Sequence, residues 1–151
     1  MGKIKIVIFQ LGTQEFAFSL EDVREVVRLN APTKPFNTTH CVDEFITLRD
    51  KIIPVVDLAS CFGINFVGTH ENEDTHAVII DTGTSVFAAI VQQVTDVMEL
   101  DKEAIEPYRS MTRVEGKYIK GAVKISNRRI LLVQSKELLG WNNPAALGQA
   151  I

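Results

Sequence analysis

Apolar and polar residues alternate with a period of two along most of the chain. Lys3-Ile4-Lys5-Ile6 alternates before Val7, Ile8 and Phe9 merge into an apolar stretch. Glu15-Phe16-Ala17-Phe18-Ser19-Leu20 alternates in the same way. Successive side chains of a strand point to opposite faces, so both segments predict half-buried strands. Gly12-Thr13 between them is a turn signal, and the two form a predicted hairpin. Three more apolar pairs follow this grammar: 45–48 with 52–56, 77–80 with 86–91, and 121–125 with 130–133. Each flanks a short polar turn. Asp50 and Asn127 tolerate left-handed backbone and suit those turns. Pro54 donates no ladder hydrogen bond, so its strand is expected at a sheet edge or with a bulge.

Helical signals are few. Asp57 is positioned to cap a turn or two through Phe62, closed by Gly63. Acidic Glu21 and Asp22 follow Ser19 and Leu20 and favour a helix start. Ser135 precedes Lys136 to Leu139, with Gly140 at the end. Residues 65–75 are polar and read as a loop between two halves, and 107–117 reads as a second irregular stretch. Eight or nine short strands with regular turns predict an all-β protein, a sandwich or a pair of barrels, with a few short helices. One domain is expected over 1–141, its halves dividing near 65–75, followed by a flexible tail at 142–151. No residue-level repeat is strong enough to identify an internal duplication.

Composition narrows the function classes. The 151 residues carry a formal charge of −3, which gives no general pull toward nucleic acid or anionic lipid. The longest strictly apolar run, Val86 to Val91, has six residues, against about 20 for a bilayer span. No secretory signal is visible, and a cytoplasmic protein is expected. Cys41 and Cys61 have neither zinc nor C-x-x-C spacing and read as two buried thiols.

Candidate chemistry adds little. His70 and His76 with Glu71, Glu73 and Asp74 match no common metal spacing and read as a solvated loop. There is no nucleophile elbow, phosphate loop or dinucleotide fingerprint, and nothing nominates a positioned base and nucleophile. Arg128-Arg129 with Lys120, Lys124 and Arg113 forms a modest basic patch. Only Tyr108 and Tyr118 accompany it, too few aromatics for a nucleic-acid platform.

The stretch Val42-Asp43-Glu44-Phe45-Ile46-Thr47-Leu48-Arg49-Asp50-Lys51-Ile52-Ile53-Pro54-Val55-Val56-Asp57-Leu58, closed by Phe62-Gly63-Ile64, is the informative segment. It resembles the central signature of the CheW-like domain, approximately V-x-G-V-I-N-L-R-G-x-I-I-P-V-V-D-L. Phe9 to Ala17 is similar to that family's opening hairpin and Val23 to Val27 to its V-x-E-I element. Val91 to Val97 is similar to V-D-x-V-x-x-V, and 119–133 to the closing hairpin. The resemblance spans residues 5 to 140. Glu44 and Asp50 stand where the family has Gly, Thr47 where it has Asn, and Gln92 where it has Asp.

The resemblance implies two SH3-like five-stranded barrels sharing a core, no catalytic activity, no cofactor and no metal. It implies an adaptor of bacterial chemotaxis, recruited to membrane-associated receptor arrays. Such a protein couples the cytoplasmic helical tip of chemoreceptors to the regulatory domain of the histidine kinase CheA. The alternative is an interaction module of a pilus-type chemosensory system, or of another helix or peptide partner. On the receptor side it points to Val23, Glu25, Val27, Glu44, Ile46, Arg49, Val91 and Val97, with Arg49 offering a planar multi-donor contact. On the kinase side it points to Lys120, Gly121, Ser126, Asn127 and Arg128. An edge strand there could pair with a partner of the same fold.

Overall fold

The computed structural model describes residues 2–29, 42–64, 75–108 and 118–142. Ten strands lie among them. They are β1 (Lys3–Leu11), β2 (Gln14–Ser19), β3 (Val23–Leu29), β4 (Val42–Leu48), β5 (Lys51–Asp57), β6 (Thr75–Asp81), β7 (Val86–Val91), β8 (Gln93–Asp101), β9 (Ile119–Ile125) and β10 (Arg128–Val133). Two helices, α1 (Leu58–Phe62) and α2 (Ser135–Asn142), follow β5 and β10. All four predicted hairpins form as antiparallel pairs.

The strands make two five-stranded sheets, ordered β8-β1-β2-β10-β9 and β3-β6-β7-β5-β4. The two orders are equivalent. Each sheet combines one hairpin, β1–β2 or β6–β7, with a three-strand unit, β8–β10 or β3–β5. In each, the hairpin lies between strands of that unit, joined by one antiparallel pair, β1 with β8 or β6 with β3, and one parallel pair, β2 with β10 or β7 with β5. The expected division near 65–75 therefore does not separate the sheets, because β5 and β6 on either side of it share one. It separates two structural repeats that exchange their three-strand units. The bulges obey the same equivalence. One extra residue interrupts β3 against β6 between Val23 and Glu25, and one interrupts β8 against β1 between Val94 and Asp96. The segments Val23-Arg24-Glu25-Val26 and Val94-Thr95-Asp96-Val97 occupy matching positions.

Alternation explains the core. In β1, Ile6 and Ile8 point into the first sheet's own interior, with Ala17, Val123, Ile130 and Leu132. In β6, Ala77 and Ile79 do the same for the second sheet, with Ile53, Val55, Ala88 and Ile90. Residues of opposite parity build a shared core between the sheets, including Phe9, Phe16, Phe18, Val56, Val78, Ile80 and Phe87. Phe9 stacks on Phe18 at 4.9 Å between ring centroids, and Phe62 of α1 meets Phe16 at 5.0 Å. Truncating one such buried ring to Ala costs about 3–5 kcal/mol, so this aromatic row ties α1 and the first sheet together.

Several local expectations are corrected. Pro54 lies on β5, which is internal. It faces Phe45 of β4, and the parallel pairing with β7 begins only at Val55, so no ladder donor is required of Pro54 on that side. In the β9–β10 turn the positive φ falls on Ser126 (57°) rather than Asn127. Helix α2 runs past Gly140 to Asn142. Ser135 is the first residue of α2 rather than its cap, and its buried hydroxyl has no hydrogen-bond partner among the described residues. Leu20–Asp22 forms a short 3-10 turn, and Ser19 does not cap it by side chain. Cys61, partly buried on α1, is disulfide-bonded rather than free. Cys41, His40, His70, Glu71, Glu73, Asp74 and the tail from residue 143 lie outside the described residues. Among the described residues no helix is long and apolar enough to cross a membrane, and no three His, Cys, Asp or Glu side chains gather as metal ligands.

Candidate functional site

The β4–β5 turn is a two-residue connection between paired Leu48 and Lys51. Both central residues, Arg49 (φ 51°) and Asp50 (φ 67°), are left-handed, which is the type I′ geometry that matches the strand twist. That backbone is unfavourable for a long side chain. The Arg49 guanidinium is held by a two-pronged contact: Nη2 donates to Glu25 Oε1 at 2.9 Å and Nη1 donates to Glu25 Oε2. β3 and β4 are opposite edges of the sheet order. The pair therefore closes the curled sheet on itself.

The β3 bulge sets which face Glu25 takes. Strict alternation puts Val23, Glu25 and Val27 on one face. With Arg24 as the extra residue, Val23 opposes Ile80 and packs on the shared core, whereas Glu25 opposes Ile79 and Val27 opposes Ala77. Ile79 and Ala77 belong to the second sheet's interior, which Val27 also packs against. Glu25 thus projects with the interior-facing residues but near the sheet's open edge. Its side chain is 24% exposed, while Arg49's is 70% exposed. The hydrogen bonds from Arg49 hold the Glu25 carboxyl below the ordinary glutamate value, against partial desolvation, with the positive charges of Arg49 and Arg24 adding to them. Glu25 in turn holds Arg49 above its ordinary value.

The remaining receptor-side residues divide. Ile46 is partly buried against the second sheet's interior, and Val91 is buried in the shared core at 2% exposure. Neither offers much surface, because inward-facing β-branched residues of a half-buried sheet pack. Glu44 pairs with Val55 in backbone register, and its side chain lies outside the described set. Val97 is 55% exposed but stands on β8 of the other sheet. Its counterpart by repeat is Val26, 42% exposed, which sequence reading passed over.

On the kinase side, Lys120 is the extra residue of the β9 bulge, and its Nζ donates to the buried Ser19 hydroxyl at 2.9 Å. Gly121 is buried, with its missing Cβ position 2.6 Å from Ile105 Cγ2, and offers no side-chain surface. Ser126 and Asn127 form the exposed turn. Arg128 donates twice to Glu15, at 2.9 and 2.7 Å, and lowers that carboxyl's pKa. Two large apolar side chains missed at the sequence level stand out instead. Phe45 is 56% exposed and Ile52 is 72% exposed. They share the outward face of the β4–β5 hairpin with half-buried Pro54, and β4 is a sheet edge. The available signal was the doublets Phe45-Ile46 and Ile52-Ile53, apolar on both faces of one hairpin.

The architecture is thus two equivalent five-stranded curled sheets packed on a shared aromatic core. The profile of the CheW-like domain family matches residues 5–142. The chain is 27% identical over 136 residues to the chemotaxis protein CheW of Klebsiella aerogenes, covering 89% of this chain and 81% of that one. It is 26% identical over 142 residues to the chemotaxis protein CheW of Thermotoga maritima, covering 92% and 89%. The crystal structure of the scaffolding protein TtCheW from Thermoanaerobacter tengcongensis superimposes with a TM-score of 0.79 at 30% identity, covering 92% of this chain and 89% of that chain. The chain belongs to the CheW-like domain family.

Proposed function

We propose that this protein is a non-catalytic scaffold of bacterial chemotaxis that couples the helical tip of chemoreceptors to the histidine kinase CheA. The Glu25–Arg49 pair carries the receptor half of the reading. A left-handed arginine at a hairpin tip, held in place by a carboxylate, presents a pre-oriented planar donor. Such a donor suits a carboxylate or carbonyl on a helical partner, as the polar anchor of a helix laid across the surface. The kinase half is better served by the β4–β5 edge than by the β9–β10 turn. Phe45 and Ile52 are exposed apolar side chains on an edge strand, where a same-fold regulatory domain can dock. The protein acts in the cytoplasm and reaches the membrane through its receptor partner.

The test is co-elution of three components in gel filtration: this chain, a receptor-tip fragment and the CheA regulatory domain. A ternary peak that needs this chain supports coupling. Separate elution of receptor and kinase in its presence refutes it.

A further inference from the structure

In three of the bulges, those of β3, β8 and β9, the extra residue is tethered by its own side chain. Thr95 Oγ1 donates to the Ile8 carbonyl at 3.3 Å, and Lys120 Nζ donates to Ser19. In the β3 bulge the extra residue is Arg24, whose Nη2 donates to Asp81 Oδ2. Asp81 is itself fixed, because the Gly83 backbone N–H donates to its Oδ1 at 2.9 Å in the β6–β7 turn. A bulge re-aims the residues that follow it, and here it transfers Glu25 from the shared-core face to the face that Arg49 can reach.

We propose that Asp81 is a positioning residue for the docking site: by pinning Arg24 in the β3 bulge, it sets the face of Glu25 and so assembles the Glu25–Arg49 pair. The role needs both carboxylate oxygens, one on the turn and one on the guanidinium. The matching bulge in the first sheet uses a hydroxyl on a backbone carbonyl instead, and the left-handed turn of that sheet carries Ser126 where the second carries Arg49. The second sheet alone thus joins a charged bulge anchor to a charged latch. This inference rests on the reading of that pair as the receptor contact.

The test compares wild type, Asp81→Asn and Asp81→Ala in two measurements. Carboxylate NMR follows the Glu25 titration, with cross-strand contacts reporting the Glu25–Ile79 pairing. Calorimetry follows binding of a receptor-tip helical hairpin. Asp81→Asn keeps an acceptor for Gly83 and loses the anion facing Arg24. Removing a nearby negative charge alone shifts the Glu25 titration down. Release from Arg49 shifts it up, so the two effects have opposite signs. The expected result is an upward shift, loss of the Glu25–Ile79 contact, and roughly two- to fivefold weaker hairpin binding, the scale of an exposed ion pair. Asp81→Asn should add nothing once Glu25→Ala is present. An unchanged or lowered Glu25 titration with the Glu25–Ile79 contact intact overturns the proposal, and Asp81→Asn decides it if Asp81→Ala does not fold. An upward shift with hairpin binding unaffected in Asp81→Asn and Glu25→Ala alike supports the positioning role and refutes the receptor reading.

Discussion

Glu25 stands on β3 and Arg49 in the turn that follows β4, at opposite ends of one sheet order, yet two hydrogen bonds join them. That contact needs a sheet curled enough to bring its two ends within reach of these long side chains. Arg49→Ala should therefore leave folding cooperative, since both side chains are at the surface and such changes cost little stability. It should weaken binding of a receptor-tip hairpin, as should Glu25→Ala. Calorimetry paired with a urea transition checks this. Loss of cooperative unfolding in Arg49→Ala would make the pair structural rather than a docking element.

The turn beside it holds a second testable feature. Asp50 occupies a left-handed position (φ 67°). Asp pays less than the about 1–2 kcal/mol that most residues pay there; glycine removes that cost and returns about 0.5–1 kcal/mol in chain entropy. Asp50→Gly should stabilise the protein by up to about 1 kcal/mol, read as a higher urea midpoint at unchanged slope.

Gly121 should not tolerate even one methyl group. An added Cβ would sit 2.6 Å from Ile105 Cγ2 and 3.2 Å from the Glu106 carbonyl oxygen. That carbonyl accepts the Ala122 N–H at 2.9 Å and cannot move freely. Gly121→Ala should cost about 1–3 kcal/mol, the usual range for overpacking. Combining it with Ile105→Ala should recover part of the loss in thermal unfolding.

Acid should destabilise the fold through three carboxylates. Glu15, Glu25 and Asp81 are each held below their ordinary values, Glu15 and Glu25 chiefly by arginine hydrogen bonds and Asp81 chiefly by the Gly83 N–H. A depressed folded-state pKa contributes stability above the unfolded-state value and loses it as pH falls through the folded-state value. The loss should start near about pH 5 and grow below it. The melting temperature against pH checks this, and a double variant Glu15→Gln, Glu25→Gln should show a shallower acid slope.

The outward apolar pair predicts a separable kinase defect. Phe45→Ser or Ile52→Ser should weaken binding of the CheA regulatory domain by roughly tenfold or more, as central apolar interface residues do. Receptor-tip binding should stay unchanged. Equal loss of both partners would place the two contacts on one surface.

Much of this fold is legible in the sequence, because alternation and turn residues act locally. The four hairpins, the helix after Asp57 and the Arg49-Asp50 turn follow from them. The exchange of three-strand units does not. It depends on parallel pairs such as Glu15 with Ile130 and Val55 with Ala88, which join distant segments and leave no local pattern. Resemblance singled out Glu25 and Arg49, and the structure brings these two side chains together. Parity failed at Val23 and Glu25, which share a face in an unbroken strand and are split by one bulged arginine. It also could not rank Phe45 against Ile46, since only the sheet's curl decides which of two adjacent apolar residues is left outside.

Coupling requires that this chain bind the kinase directly. The most direct measurement is a calorimetric titration against the isolated CheA regulatory domain from the same cell. Saturable one-to-one binding is the predicted result. No binding at about 100 µM, a free energy weaker than roughly −5.5 kcal/mol, would contradict it.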